Sequence, residues 1–190
     1  VDCVVLPGGF SYGDYLRSGA IAKMSPIMKS VIEFATNGGY VLGVCNGFQI
    51  LTESGLLPGA LRHNISHKFV CKNVFIKPVS KTAGISANLE HSKVYKIPIA
   101  HGEGNYYCSA ESLAELKTND QIIFQYCTEN GEVTDAVNPN GSLENIAGVC
   151  NASKNVFGMM PHPERAADEE LNNQDGLALF KSMIAHMELV

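Results

Sequence analysis

Three residues in this chain are spaced as a nucleophile, a base and an orienting carboxylate would be. Cys45 stands in Gly43-Val44-Cys45-Asn46-Gly47, where a short apolar run gives way to a helical pattern. A cysteine on such a strand-to-helix turn is lifted above a sheet in a strained backbone conformation. Glycines are expected on both sides, because a Cβ at either place would strike the neighbouring strand or helix. The helix that follows would aim its N-terminal amides at the sulfur. With a histidine nearby, that field is expected to lower the thiol pKa from its ordinary value of about 8.5 and free the thiolate. The same five residues would also suit a buried cysteine whose glycines serve only a tight turn.

His162 and Glu164, within Met159-Met160-Pro161-His162-Pro163-Glu164-Arg165, supply the other two groups. Each proline fixes its own φ and drives the residue before it into an extended conformation. In an extended chain residues i and i+2 project to one side, so Glu164 can hold one ring nitrogen of His162 while the other faces the thiol. That is the nucleophile–base–acid arrangement of acyl transfer. Acyl transfer also needs amide donors at the tetrahedral oxygen. The candidates are the N–H of Asn46, next after the nucleophile, and Gly9 in Pro7-Gly8-Gly9-Phe10, where the missing side chain lets the backbone approach a ligand.

The elements that must position these groups follow from periodicity. Residues 1–6 are an apolar run ended by Pro7-Gly8-Gly9, as for a strand buried on both faces. Ser25-Pro26 reads as a helix cap with proline at the first helical position, and apolar residues at 27, 28, 31, 32 and 35 mark one helix face. Residues 40–44 predict a second buried strand and 48–54 a short helix. Strand, helix, strand, helix is the signature of a parallel sheet with helices on its faces. Beyond that, strands are expected at 69–79, 93–100, 121–127, 146–150 and 156–160. A loop is expected at 80–92, a short helix at 112–117 and a turn-rich stretch at 130–144. A final helix begins near Asp175 as a possible cap, with Leu177, Phe180, Met183, Ile184 and Met187 on its apolar face.

Composition narrows the class. The chain has 190 residues, 45% of them hydrophobic, and a formal net charge of −5. Length and apolar content suit one folded domain over residues 1–190 rather than a disordered chain. The acidic balance argues against nucleic-acid or anionic-membrane partners. No apolar run approaches the roughly 18–20 residues that span a bilayer, and no basic-then-apolar leader opens the chain. The six cysteines (3, 45, 71, 108, 127 and 150) contain no C-x-x-C pair and no zinc spacing, so no metal site is expected. They read as reduced thiols of a cytoplasmic protein.

The motifs Pro7-Gly8-Gly9-Phe10, Gly43-Val44-Cys45-Asn46-Gly47-Phe48-Gln49 and Pro161-His162-Pro163-Glu164-Arg165, in this order, resemble the class I (Cys-His-Glu) glutamine amidotransferases. With Ser11-Tyr12-Gly13-Asp14-Tyr15-Leu16-Arg17 and Ile99-Ala100-His101-Gly102-Glu103-Gly104-Asn105-Tyr106, the likeness narrows to the family of small glutaminase subunits of phosphoribosylformylglycinamidine synthases. The resemblance runs over essentially the whole chain. It implies an α/β, flavodoxin-like fold with a mostly parallel central sheet flanked by helices. It also implies that Cys45 forms a γ-glutamyl thioester with glutamine, that His162 and Glu164 complete the triad, and that Gly8 and Gln49 contact the substrate. The ammonia would pass to a large ATP-dependent synthetase subunit that converts formylglycinamide ribonucleotide to the amidine in purine biosynthesis. A small bridging subunit would join the two. ATP and Mg²⁺ would be used by the synthetase, with no cofactor in this chain. Asp14, Arg17, Arg62, Asn64, His101 and Glu103 fall in family motifs as partner-facing or substrate-side residues without assigned roles.

That family begins with a strand–helix–strand unit of ~30–40 residues, of which only the closing strand, residues 1–6, is expected here. The first strand of a flavodoxin-like order is central, so an exposed sheet edge and marginal stability are expected of residues 1–190 alone. Two other functions remain open on the sequence: a stand-alone γ-glutamyl cysteine hydrolase, and a non-catalytic docking subunit.

Overall fold

The computed structural model describes residues 1–188. Its strands are β1 (Cys3–Leu6), β2 (Tyr40–Val44), β3 (Ala60–Arg62), β4 (Val70–Pro78), β5 (Tyr95–His101), β6 (Asn105–Tyr107), β7 (Ile122–Cys127), β8 (Ile146–Cys150) and β9 (Val156–Met159). The helices are α1 (Pro26–Thr36), α2 (Asn46–Glu53), α3 (Gly84–Ala87), α4 (Ala110–Thr118) and α5 (Asp175–Met187).

Seven strands form one sheet in the order β1-β2-β9-β8-β7-β4-β5, and β3 and β6 pair separately. β1, β2 and β9 are parallel neighbours, and every later pairing is antiparallel. Following the directions through the order, β1, β2, β9, β7 and β5 run one way, and β8 and β4 the other. The α/β class with a mostly co-directional sheet therefore holds, and the carboxyl ends of β1, β2, β9 and β5 lie at one end of it. Open α/β sheets bind ligands at that end.

The sheet curls enough to bring its two halves together there. Three strands separate β5 from β9 in the order, yet the His162 N–H, just past β9, donates to the Pro98 carbonyl of β5 at 2.8 Å. The β7–β8 pairing carries register irregularities around Phe124. Bulges of that kind bend a strand and increase its twist. Among the described residues β1 forms an edge bonded only to β2, and Val5 on it is half-exposed.

Several expected elements shift. α2 begins at Asn46, two residues earlier than periodicity suggests, because the turn at Cys45 feeds straight into helical backbone. The expected loop at 80–92 contains α3, a single turn whose Ile85 is fully buried, and which packs on α5. Asp175 does not cap α5; Gln174 holds that position, and the Asp175 carboxylate accepts from the Lys96 N–H at 2.8 Å. The buried face of α5 is rotated from the expected one. Leu179, Ser182 and Met183 are buried while Ile184 is exposed, because Ser182 turns inward to donate to the Gly84 carbonyl. The β3–β6 ribbon has no clear sequence signal.

Candidate active site

Cys45 sits between β2 and α2 with φ 50° and ψ −104°, a left-handed backbone that costs a non-glycine residue on the order of 1–3 kcal/mol. Packing enforces the turn. A Cβ on Gly47 would fall on the Leu6 carbonyl oxygen of β1, and one on Gly43 would lie 2.7 Å from the Gly47 carbonyl. The seven residues from Asn46 to Thr52 are all buried. The Cys45 N–H is anchored to the Met159 carbonyl of β9 at 2.8 Å.

The thiol does not rest as a thiolate, contrary to the expectation from the helix field. Burial pushes it up from 9.0 to about 11, while the Asn46 backbone N–H bonding the sulfur and the charge of Arg165 pull only partly the other way. Sγ donates to the Ala100 carbonyl at the end of β5 at 3.6 Å. The sulfur is thus held protonated until a base removes its proton.

His162 is that base in geometric terms. It is 1% exposed, and its Nδ1–H donates to Glu164 Oε1 at 2.6 Å. A carboxylate can only accept, so Nδ1 carries a proton, and in the neutral ring the lone pair sits on Nε2. Nε2 is buried and has no hydrogen-bond partner among the described residues. Burial alone would raise the Glu164 carboxyl, but the His162 hydrogen bond and charge hold it below its usual value. The two residues meet across a turn rather than along an extended strand. His162 has ψ 87°, as proline after it requires, and Pro163–Ala166 is a 3₁₀ turn that swings Glu164 back beneath the ring.

Cys45 opens into a cavity of ≈ 170 Å³ whose walls include Gly9, Asp14, Gln49, Ala100, His101 and Glu103. Gly9 is therefore at the ligand space. Gly8 is not among the lining residues. A Cβ there would be 2.5 Å from His162 Cε1 and 3.5 Å from Cys45 Cβ, so its bareness makes room for the base beside the nucleophile. Gln49 lines the cavity with its side chain engaged inside the protein: Nε2 donates to the Glu103 carbonyl at 2.6 Å, and Oε1 accepts from Asn46 Nδ2 at 2.9 Å.

Residues 11–18 roof the cavity through polar tethers. The Ser11 N–H donates to Asn46 Oδ1 at 3.3 Å, Asn46 Nδ2 to Asp14 Oδ1 at 3.4 Å, and the Ser18 N–H to Glu103 Oε2 at 3.1 Å. Burial raises the Asp14 carboxyl, and the charge of Glu103 adds to that. Arg17 is turned away from the cavity, pairing with Glu53 of α2 at 2.6 Å, and Arg62 stacks over Tyr107 at 4.0 Å. Ala100 carries no sequence signal because it acts through a carbonyl, which every residue has. Phe69 carries none either; its ring pairs with Phe10 at 6.2 Å on the cavity wall. Among the described residues no three His, Cys, Asp or Glu side chains are grouped to hold a metal, and no helix is long and apolar enough to cross a membrane.

The profile of the CobB/CobQ-like glutamine amidotransferase domain matches residues 1–185. The PurQ protein of phosphoribosylformylglycinamidine synthase from Koribacter versatilis is 56% identical over 186 residues, which cover 98% of this chain and 80% of that protein. PurQ of Aquifex aeolicus is 54% identical over 97% of this chain and 81% of its own length. A chain in the structure of PurLQS from Thermotoga maritima superposes with a TM-score of 0.84 at 42% identity, over 98% of this chain and 80% of that one. A second glutamine amidotransferase from Thermotoga maritima shares the fold, with a TM-score of 0.56 at 15% identity over 98% of this chain and 77% of that one.

Proposed function

This chain belongs to the CobB/CobQ-like glutamine amidotransferase family, and on that premise we propose that Cys45, His162 and Glu164 carry out its glutaminase reaction. The enzyme is the glutamine amidotransferase component of a phosphoribosylformylglycinamidine synthase, acting in purine biosynthesis, as its PurQ relatives are named. It works as one subunit of a multi-subunit complex. The finer partner reading is a large ATP-using synthetase subunit that receives the ammonia, with a small bridging subunit between them.

The observation that carries the mechanism is a thiol on a strained turn beside a buried imidazole whose Nε2 is bare and whose Nδ1–H is fixed by a carboxylate. Glutamine enters the cavity with its carboxamide carbon at Sγ. Nε2 of His162 takes the thiol proton as sulfur attacks, so the poor resting nucleophile becomes a thiolate only when a substrate is there to consume it. The N–H groups of Asn46 and Gly9 receive the tetrahedral oxyanion. His162 returns the proton to the departing nitrogen, ammonia leaves, and a γ-glutamyl thioester remains. Water, deprotonated by Nε2, then cleaves the thioester to give glutamate and the free thiol. Asp14 and Glu103, two acidic residues of the cavity lining, suit the α-ammonium of the amino acid. Gln49 and Gly8 serve the substrate indirectly, by fixing the Glu103 backbone and by clearing space for His162.

A diazo-ketone analogue of glutamine tests the reading. Incubated with the chain in complex with its synthetase partner, it should attach to Cys45 and abolish ammonia release, and Cys45→Ala should abolish both. Failure of Cys45 to label in the active complex would refute the assignment. Labelling and ammonia release that the partner does not stimulate would point to a stand-alone hydrolase.

A further inference from the structure

His101 is a buried histidine that the mechanism above leaves idle. It closes β5, next to the Ala100 carbonyl that holds the Cys45 thiol, and it lines the same cavity. It is 3% exposed. Its surroundings fix its tautomer. Asn64 spends its amide donors on two carbonyls, those of Lys68 and His101, each at 2.9 Å. Asn64 Oδ1 is therefore the atom that faces His101, and it accepts the Gly104 N–H at 3.0 Å and lies 3.1 Å from His101 Nδ1. An amide oxygen only accepts, so Nδ1 carries the proton and Nε2 holds a lone pair. A Cβ on Gly104 would fall into the imidazole, so the backbone lies against the ring and fixes its place. Nε2 is buried without a hydrogen-bond partner among the described residues. Burial, and then the charge of His162, lower its pKa from 6.5 to about 4, so the ring stays neutral at physiological pH.

A bare buried acceptor is costly unless something donates to it. At the reacting end of glutamine the only donors are the two N–H bonds of the carboxamide. We propose that His101 is a specificity-determining and positioning residue, whose Nε2 accepts one N–H of the substrate carboxamide beside Cys45. The inference rests on the glutaminase reading of the site. Placing the carboxamide oxygen on the Asn46 and Gly9 amides would leave its nitrogen free to meet His101, which lines the same cavity. Holding one N–H on His101 turns the nitrogen lone pair of the tetrahedral intermediate toward His162, which must protonate it before ammonia can leave. The same lone pair repels a carboxylate oxygen, which favours glutamine over glutamate in this cavity.

The test compares two substrates in the assembled complex with the synthetase partner: glutamine, and the γ-methyl ester of glutamate, whose leaving oxygen carries no hydrogen. His101→Leu should lower kcat for glutamine by roughly a hundredfold, the usual loss for one transition-state hydrogen bond, and leave ester hydrolysis within about threefold of the parent. His101→Gln, which keeps an acceptor, should recover much of the amide activity. Equal loss on both substrates in both variants would make His101 a structural residue, and no loss on either would show that Nε2 is unused. Both results overturn the proposal. If the Leu variant fails to fold, the Gln variant decides, through its amide-to-ester ratio relative to the parent. A parent complex that hydrolyses the ester but releases no ammonia from glutamine would refute the reaction assignment itself.

Discussion

The nucleophile turn and the segment that roofs it both use left-handed backbone, but they are restrained by different forces. Cys45, at φ 50°, is surrounded by backbone: Gly47 lies against the Leu6 carbonyl, Gly43 against Gly47, and every residue of the following two turns is buried. In the roof, Tyr12, Asp14 and Leu16 have φ of 53°, 54° and 70° while their surroundings are open. Tyr12, Tyr15 and Leu16 face solvent, and the segment is held by hydrogen bonds from Asn46, Ser18 and Arg17. Close packing admits one arrangement, because an overlap of even a few tenths of an ångström is resisted by the whole interior. Polar tethers to carboxylates can exchange with water or a partner at a net cost of about 1–3 kcal/mol each. The strain at the sulfur is thus fixed in place, whereas the strain in the roof is available for change on binding.

The contrast can be broken most directly through proton chemistry at the sulfur. With the thiol pushed to about 11 by burial, alkylation of Cys45 by iodoacetamide, followed on its own peptide, should rise about tenfold per pH unit from neutrality to that point. A plateau near pH 7 would mean the helix field outweighs burial. Stability should move with it. Taking 9.0 for the unfolded thiol and about 11 for the folded one, the folded state binds more protons between them. This contribution is complete below pH 9 and is lost as pH rises toward 11.

Packing is challenged next. Gly47→Ala places a methyl on the Leu6 carbonyl, and neither β1 nor α2 can move without opening the elbow. We expect a loss of more than ~3 kcal/mol, beyond ordinary overpacking, read as a lowered urea midpoint with activity falling in step. A tolerated alanine would show that β1 yields and that the elbow is not sterically locked.

These two regions also differ in how far the sequence discloses them. The elbow was legible because its constraints are local: glycines at fixed offsets, an apolar run before and a helical pattern after. His162 and Glu164 were legible for the same reason, although the prolines deliver Glu164 through a 3₁₀ turn rather than an extended strand. The cavity was not legible, since its far wall comes from β5, brought over by sheet curl across three intervening strands. Curl is a sum of twists and bulges spread over every pairing, and no short stretch of residues encodes it. The resting state of the thiol was hidden as well. It depends on how deeply the folded chain buries Cys45, whereas the motif reveals only the helix beside it.

The roof offers the smaller tests. Glu53 is almost fully buried and has Arg17 as its close partner, with Lys23 farther off at 3.8 Å. Arg17→Ala leaves that carboxylate short of a partner. Since the Arg17 side chain is half-exposed, solvent screens the pair, and the expected cost is about 1 kcal/mol. It should appear as a raised KM for glutamine with kcat nearly unchanged, because the roof touches the binding end of the cavity and leaves the triad alone. A fall in kcat without a change in KM would tie the roof to the chemistry instead.

Leu16→Gly should have the smallest effect and an opposite sign. Leu16 is 93% exposed and sits at φ 70°, so it contributes little packing while bearing left-handed strain. Glycine relieves that strain at the cost of a more flexible unfolded chain, and the balance should favour the folded state by about 0.5 kcal/mol. Cys45→Gly relieves the same kind of strain at the elbow, but removes the sulfur with it. If thermal unfolding shows both variants at or above the parent, and only Leu16→Gly keeps ammonia release, strain in the two places is alike in energy and different in use. If Leu16→Gly loses turnover while gaining stability, then the left-handed roof is part of the working geometry and must be counted with the elbow.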